Sequence, residues 1–190
     1  MDNRGESMAK AIDAADYIIQ AAKHDGVTNM TNMKLNKVLY YAQAISLQKY
    51  GHPLFEDPIN AWTLGPVVPH VYYAFSEDGK RGDKPITAPQ QKVPDNAFTP
   101  DEADALSDAY VVFGRTYDAE DLSHRTHKDG GPWSQCYKPG MVPGVEIPTD
   151  LIKQYFSEHP VVKENAFDSE GEILIAPDSN GRLDIPEDWD

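Results

Sequence analysis

The chain has 190 residues, 40% hydrophobic and 25% charged, a composition typical of a soluble globular domain. Its formal net charge of −14 at pH 7 disfavours direct binding to nucleic-acid phosphates, and its single cysteine excludes a disulfide framework or a cysteine-rich zinc site. No apolar run is long enough for a signal peptide or a membrane span, so a cytoplasmic protein is predicted.

Two amphipathic helices are predicted first. Apolar residues at three- and four-residue spacing predict a helix over residues 8–23, with Ser7 as its N-terminal cap. A second helix is predicted over residues 31–50, and Gly51 is expected to end it. The buried stripe of this second helix is predicted to contain Leu35, Val38, Leu39, Ala42 and Ile45.

The next segment contains prolines that limit its structure. Residues 58–64 are short and irregular, and an extended bridge is one interpretation. Residues 65–75 have apolar side chains at helical spacing. Because Pro66 and Pro69 fit a helix only in its first turn, a helix is predicted to begin near Gly65.

Three further helices are predicted after a proline-rich loop over residues 79–98. The sequence Thr99-Pro100-Asp101-Glu102 is typical of a capping box and predicts a helix that runs to about Phe113. Residues 118–127 have acidic side chains at a helix start, and residues 148–160 predict a last helix of two to three turns.

The end of the chain is acidic. Residues 151–190 contain three Lys/Arg and ten Asp/Glu, and two short apolar segments around Asn180-Gly181 predict a small β-hairpin in this tail. The predicted fold class is therefore mainly α, with about five to six helices and short extended segments in one compact helical domain. The predicted organisation is an N-terminal extension 1–7, a domain 8–160 and an acidic tail 161–190.

Catalytic motifs give little support for an enzyme. The sequence has no GxxxxGK[ST], GxGxxG, GxSxG or HExxH motif. Cys136 with His124 or His127 as its base is one candidate for nucleophilic chemistry, and the two histidines are candidates for a metal site. An incidental thiol and helix-end histidines are the simpler interpretations, so no catalytic residue, metal or cofactor is predicted.

Three segments occur in a characteristic order: KLNKVLYYAQAISLQKYGHPLF from residue 34, INAWTLGPVVPHVYYAF from residue 59 and DLSHRTHKDGGPW from residue 121. Together they resemble the SocA-like antitoxins with a Panacea domain, long labelled a phage-associated domain of unknown function. The resemblance covers about residues 8–140. It departs from the family pattern at Val38, where leucine is usual, and in the glycine-rich KDGG before Pro132-Trp133.

The resemblance implies a non-enzymatic antitoxin of a type II-like system, which neutralises a protein toxin encoded next to it by direct binding. One family member delivers its toxin to the ClpXP protease, so a proteolytic adaptor is the alternative function. An undetected metal-dependent or Cys/His enzyme is the third. An acidic surface would speed association with a basic toxin. No direct nucleic-acid or membrane partner is expected.

The motif residues are expected to divide into contact and structural positions. Exposed Tyr and Trp are typical anchors of protein interfaces, so we predict Tyr41, Trp62 and Tyr73 as toxin contacts. Gly65 and Pro66 are expected to set a helix entry, and Thr126 and His127 to brace the core by hydrogen bonds. The full set of predicted structural positions is Leu35, Leu39, Gly65, Pro66, Thr126, His127 and Trp133.

Overall fold

The computed structural model describes residues 8–76, 84–94, 97–141 and 144–161. This part of the chain is mainly α-helical, with seven α-helices, one π-helical turn and a three-stranded sheet. In chain order these elements are α1 (Ala11–His24), α2 (Asn32–Tyr50), β1 (Asn60–Trp62), β2 (Gly65–Val67), α3 (Pro69–Ala74), α4 (Pro100–Ala109), the π-turn (Tyr110–Gly114), α5 (Ala119–Thr126), α6 (Pro132–Cys136), β3 (Val145–Glu146) and α7 (Thr149–Glu158).

Helix α2 is the central element of the fold. Thr31 caps its start by accepting a hydrogen bond from the Lys34 backbone N–H, and Gly51 ends it with a left-handed φ of 78°. Every residue from Lys34 to Leu47 is buried, because α1, α3, α4, α5, α7 and β2 all pack around this helix. The five residues of the predicted stripe are all buried, but burial extends around the whole helix from Lys34 to Leu47 and is not limited to that stripe.

The buried polar side chains of α2 hold distant segments in place. The side-chain amide of Gln43 accepts hydrogen bonds from the backbone N–H groups of Leu54 and Phe55 at 2.8 and 3.2 Å, and donates to the Phe55 carbonyl. Asn36 Oδ1 accepts from the Val68 backbone N–H at 2.9 Å. These pairings satisfy polar atoms whose burial would otherwise destabilise the fold by about 1–3 kcal/mol each.

The sheet corrects the prediction for residues 65–75. Its strand order is β2-β1-β3, both pairs are antiparallel, and β1 and β2 are joined by a two-residue turn. Gly65 begins strand β2, not a helix, and α3 begins at Pro69. Pro66 is tolerated in β2 because an edge strand leaves one side without backbone partners, while Pro69 occupies the first turn of α3.

The helices of the second half agree more closely with the sequence. Both hydrogen bonds of the capping box are present at the start of α4, between Thr99 and Glu102. A π-turn then ends the helical run at Gly114. Helices α5 and α7 lie within the predicted segments. Helix α6 was not predicted, and it raises the number of α-helices above the predicted five to six. Ser7 and the predicted tail hairpin lie outside the described residues.

Candidate partner-binding surface

The hairpin of β1 and β2 (residues 60–67) exposes its turn and buries its second strand. Trp62 pairs with Gly65 across the turn, which consists of Thr63 and Leu64. Both turn residues are exposed, and Leu64 is a large apolar side chain with 41% of its surface accessible. The three residues of β2 are buried. The hairpin therefore presents its tip to solvent while its base is part of the core.

Three side chains from distant elements donate hydrogen bonds to alternate carbonyls of this hairpin. The indole Nε1 of Trp133 in α6 donates to the Trp62 carbonyl at 2.8 Å. The Ser123 hydroxyl in α5 donates to the Leu64 carbonyl at 2.9 Å, and Lys37 Nζ in α2 donates to the Pro66 carbonyl at 3.1 Å. The donors come from two of the three characteristic segments, so these segments meet at the third, the hairpin itself.

Gly65 allows this close approach. Its φ is 105°, a left-handed conformation that side chains with a Cβ rarely adopt. A Cβ at this position would lie 2.6 Å from Lys37 Cε and 2.6 Å from Thr126 Oγ1. Helices α2 and α5 therefore contact the strand backbone directly here. Gly65 is expected to be a structural position because it begins a helix, but the structure gives another reason. Its missing side chain lets two helices approach strand β2.

Lys37 is a fully buried lysine beneath the hairpin. Burial lowers the pKa of Lys37 to about 7. Burial also lowers the pKa of His127, and the charges of Lys37 and His124 act in the same direction. The ring of His127 packs against Trp133 with a centroid distance of 3.8 Å, and its Nε2 has no hydrogen-bond partner within the described ranges.

Thr126 and His127, which are expected to brace the core, make contacts of different kinds. Thr126 Oγ1 donates to the Ser123 carbonyl at 2.8 Å, one turn earlier in α5. His127 instead contributes ring packing, and its backbone N–H bonds the His124 carbonyl. Leu35 and Leu39 are fully buried, as predicted for structural positions.

Three aromatic side chains form a cluster beside the hairpin tip, here called the aromatic cluster: Trp62, Tyr72 and Tyr73. The ring centroids of Trp62 lie 4.8 Å from Tyr72 and 6.1 Å from Tyr73, with edge-to-face geometry. Tyr73 is 61% exposed, and Trp62 and Tyr72 are partly buried. The structure thus brings together two of the three predicted contact residues, and it adds Tyr72, which the helical register of α3 places next to Tyr73.

The Trp62 indole packs on Gly144, the residue that precedes strand β3. A Cβ on Gly144 would lie 2.8 Å from Trp62 Cδ1, so the indole packs directly on this glycine backbone. The indole Nε1 is buried and has no hydrogen-bond partner among the residues described. The position of Trp62 is set by packing of its ring and by the hydrogen bond from Trp133 to its backbone carbonyl. The rigid base of the cluster is therefore Trp62, and its accessible part is Tyr73.

Tyr41 occupies a different environment from the other two predicted contacts. It is 7% exposed, and its ring stacks on Phe113 with a centroid distance of 4.0 Å and an interplanar angle of 10°. It is therefore a core residue, and the prediction that it lies free on the surface is wrong. A role in toxin contact stays a prediction.

The environment of Cys136 is unfavourable for nucleophilic chemistry. Burial raises the pKa of the Cys136 thiol, which disfavours the thiolate that nucleophilic chemistry needs. Among the described residues no three His, Cys, Asp or Glu side chains are grouped to hold a metal ion. None of the described helices has the length and apolar character needed to cross a bilayer.

Comparison with known proteins places the chain in a family. Residues 35–134 match the family model described as "Antitoxin SocA-like, Panacea domain". The chain is also 30% identical over 136 residues to "Antitoxin SocA" of Caulobacter vibrioides (strain NA1000 / CB15N), an alignment that covers 67% of this chain and 72% of the relative. No solved structure matches. The matched region contains the hairpin, the aromatic cluster and all three hairpin donors, and the chain belongs to the family of SocA-like antitoxins with a Panacea domain.

Proposed function

We propose that this antitoxin-family protein neutralises a cognate protein toxin, encoded next to it, by direct and non-catalytic binding through the aromatic cluster. The observation that carries the proposal is the exposure of Tyr73 on a rigid aromatic base beside an exposed Leu64. Large, stiff aromatic side chains that are already ordered bind with a small loss of conformational entropy. This makes the cluster a suitable anchor for a protein partner.

The hairpin contributes to binding because it holds Trp62, the base of the aromatic cluster, in place before a partner binds. The carbonyls of Trp62, Leu64 and Pro66 are each held by a side chain from another element. The indole is therefore positioned before any partner arrives. The acidic net charge of −14 adds long-range attraction to a basic toxin surface, which would increase the association rate at low ionic strength.

The test is binding of the purified chain to the protein product of the neighbouring gene, measured by calorimetry. The proposal expects a complex with the wild-type chain and a 10- to 100-fold weaker one, or about 1–3 kcal/mol, with Tyr73→Ala. Tyr73→Phe keeps the ring and should bind nearly normally. Met141→Ala removes another exposed apolar side chain, 50% accessible and outside the cluster, and should leave affinity unchanged.

Stoichiometry separates binding from catalysis. A binding antitoxin should abolish toxin activity only when it reaches a fixed molar ratio to the toxin. An antitoxin that modifies its toxin enzymatically would inactivate a large excess of toxin with time. Unchanged affinity of the Tyr73→Ala variant, or turnover of this kind, would exclude the proposed mechanism.

A further inference from the structure

A second surface feature lies on another side of α2. It is a cleft of about 300 Å³ between α2, α5 and α7, here called the tyrosine cleft. Aromatic rings make up much of its wall, since Tyr41 stacks on Phe113 and Tyr40 packs edge-on against Phe156 at a centroid distance of 5.9 Å. The cleft is thus apolar at its base, which suits apolar side chains of a bound peptide.

Two tyrosines of α2 lie at the cleft. Tyr40 is 2% exposed and Tyr41 is 7% exposed. Both side chains line the cleft, where a phenol hydroxyl can donate a hydrogen bond to a bound carboxylate. Burial raises the pKa of both phenols, so both remain protonated and able to donate at neutral pH.

The charge of the cleft is opposite to that of the whole molecule. Arg125 and Lys128 line it, together with His159 and one carboxylate, Glu158. Burial raises the pKa of Tyr41, and the positive charge of Arg125 opposes this effect. Phenol and guanidinium donors around an apolar base are suited to bind a carboxylate next to an apolar side chain.

The described part of the chain reaches this cleft at Val161, and an acidic sequence follows. Val161 lines the cleft, is 3% exposed, and its backbone N–H donates to Gln48 Oε1 at 2.6 Å. The sequence that follows, residues 162–190, contains nine Asp/Glu and two Lys/Arg. It also contains the apolar run Ile173-Leu174-Ile175 and Trp189. The cleft and the segment therefore have opposite charges, and the segment contains apolar side chains that suit the aromatic base. The segment also begins next to Val161, a residue that lines the cleft.

We propose that the tyrosine cleft is a docking site for an acidic peptide, and that residues 162–190 of the same chain are its occupant. Carboxylates of the segment accept hydrogen bonds from Tyr40, Tyr41 and Arg125, while one of its apolar side chains packs on the aromatic base. The site is separate from the aromatic cluster. The proposal does not depend on toxin neutralisation, because its test uses the isolated chain.

The test is paramagnetic relaxation in the full-length protein. A nitroxide is attached at Ser169→Cys or, separately, Ser179→Cys in a Cys136→Ser background, which leaves one thiol in each variant. The proposal expects the amide signals of Lys128 and Tyr155 to lose more than half of their intensity at low salt for at least one label. The signals should recover at about 0.5 M salt, where charge interactions are screened.

Variants separate docking from mere proximity to Val161. Arg125→Gln/Lys128→Gln should restore the signals, and Tyr40→Phe/Tyr41→Phe should do so while keeping every ring and charge. Lys84→Gln/Lys92→Gln removes the same charge from two exposed lysines outside the cleft and should leave the broadening unchanged. Equal broadening in all variants, or no broadening with either label, would overturn the proposal. Broadening between differently labelled copies would assign the segment to a second molecule and overturn docking within one chain.

Discussion

Gly65 shows how one residue determines whether the hairpin can approach the helices. An alanine here would combine a strained φ of 105° with overlap against Lys37 and Thr126. We expect Gly65→Ala to lower the free energy of unfolding by about 2–4 kcal/mol, measured by urea denaturation.

Gly26 provides the matched control for this substitution. Its φ is 71°, also left-handed, and a Cβ there meets nothing within 4 Å. Gly26→Ala should therefore cost only the conformational strain, about 1 kcal/mol. Equal losses at the two positions would show that crowding by Lys37 and Thr126 is unimportant.

Lys37 makes stability depend on pH in a defined direction. Its pKa is about 7 in the folded protein and 10.5 ordinarily, so between these values the unfolded chain binds the extra proton. The free energy of unfolding therefore rises with pH across this window, by at most about 1.4 kcal/mol per pH unit. Protonation near pH 7 places a charge in the core beside His127, and stability falls.

Replacement of the amine isolates this contribution. We expect wild-type stability to increase between pH 7 and pH 9 by about 2 kcal/mol more than that of Lys37→Met. The comparison removes the parallel effect of Lys34, whose pKa burial lowers to about 8, because Lys34 is present in both proteins. Parallel pH profiles for the two proteins would mean that Lys37 stays charged in the fold.

At the scale of elements, the hairpin shows why local spacing of apolar residues does not predict strand β2. Val67, Val68 and Val71 have helical spacing, but β2 is determined by partners far away in sequence. Lys37 is 29 residues from its carbonyl acceptor, Ser123 is 59 and Trp133 is 71. A local window contains none of these contacts, whereas the capping box at Thr99 is entirely local and was predicted correctly.

Short elements were missed for a related reason. Helix α6 has five residues and β3 has two, too few to display a hydrophobic period. Pro132 at the start of α6 was the available signal, since proline favours the first helical turn. Tyr72, the member of the aromatic cluster that the sequence pattern does not indicate, differs from Tyr73 in its position on α3.

The hydrogen bonds that hold the hairpin predict different effects of two serine substitutions. Ser123→Ala removes the donor to Leu64 and should lower the free energy of unfolding by about 1 kcal/mol. It should also speed amide hydrogen exchange in residues 60–67, because the tip loses one of its three attachments. Toxin affinity should fall even under conditions where the chain is fully folded.

Ser134→Ala is the control for this prediction. The Ser134 hydroxyl donates to the Gly131 carbonyl within its own short helix, three residues away. Its removal should leave exchange in the hairpin unchanged. Faster hairpin exchange in both variants would indicate general destabilisation, not a specific attachment.

At the scale of the whole molecule, the buried polar residues of α2 show that this helix is enclosed on all sides, which composition does not predict. Asn36, Gln43 and Ser46 belong to residue types that are mostly exposed in proteins, yet all three are buried and hydrogen-bonded. Burial of a polar side chain depends on a partner supplied by tertiary structure. The helix, its limits and its caps could be predicted locally, but not the enclosure on all sides that makes it the centre of the fold.

The proposed neutralisation of a toxin by binding can be tested in cells, at the scale of the whole molecule. If the aromatic cluster blocks the toxin by binding, co-expression should restore growth equally in cells with and without a ClpXP-type protease. Tyr73→Ala should weaken the rescue in both backgrounds, because its 61% exposed ring contributes contact area and little to the core. An adaptor that delivers the toxin for degradation would instead lose rescue in the protease-deficient cells while the complex still forms. Growth of the two strains at matched antitoxin levels therefore separates occlusion from delivery. A binding measurement alone would not separate them, because both mechanisms begin with formation of a complex.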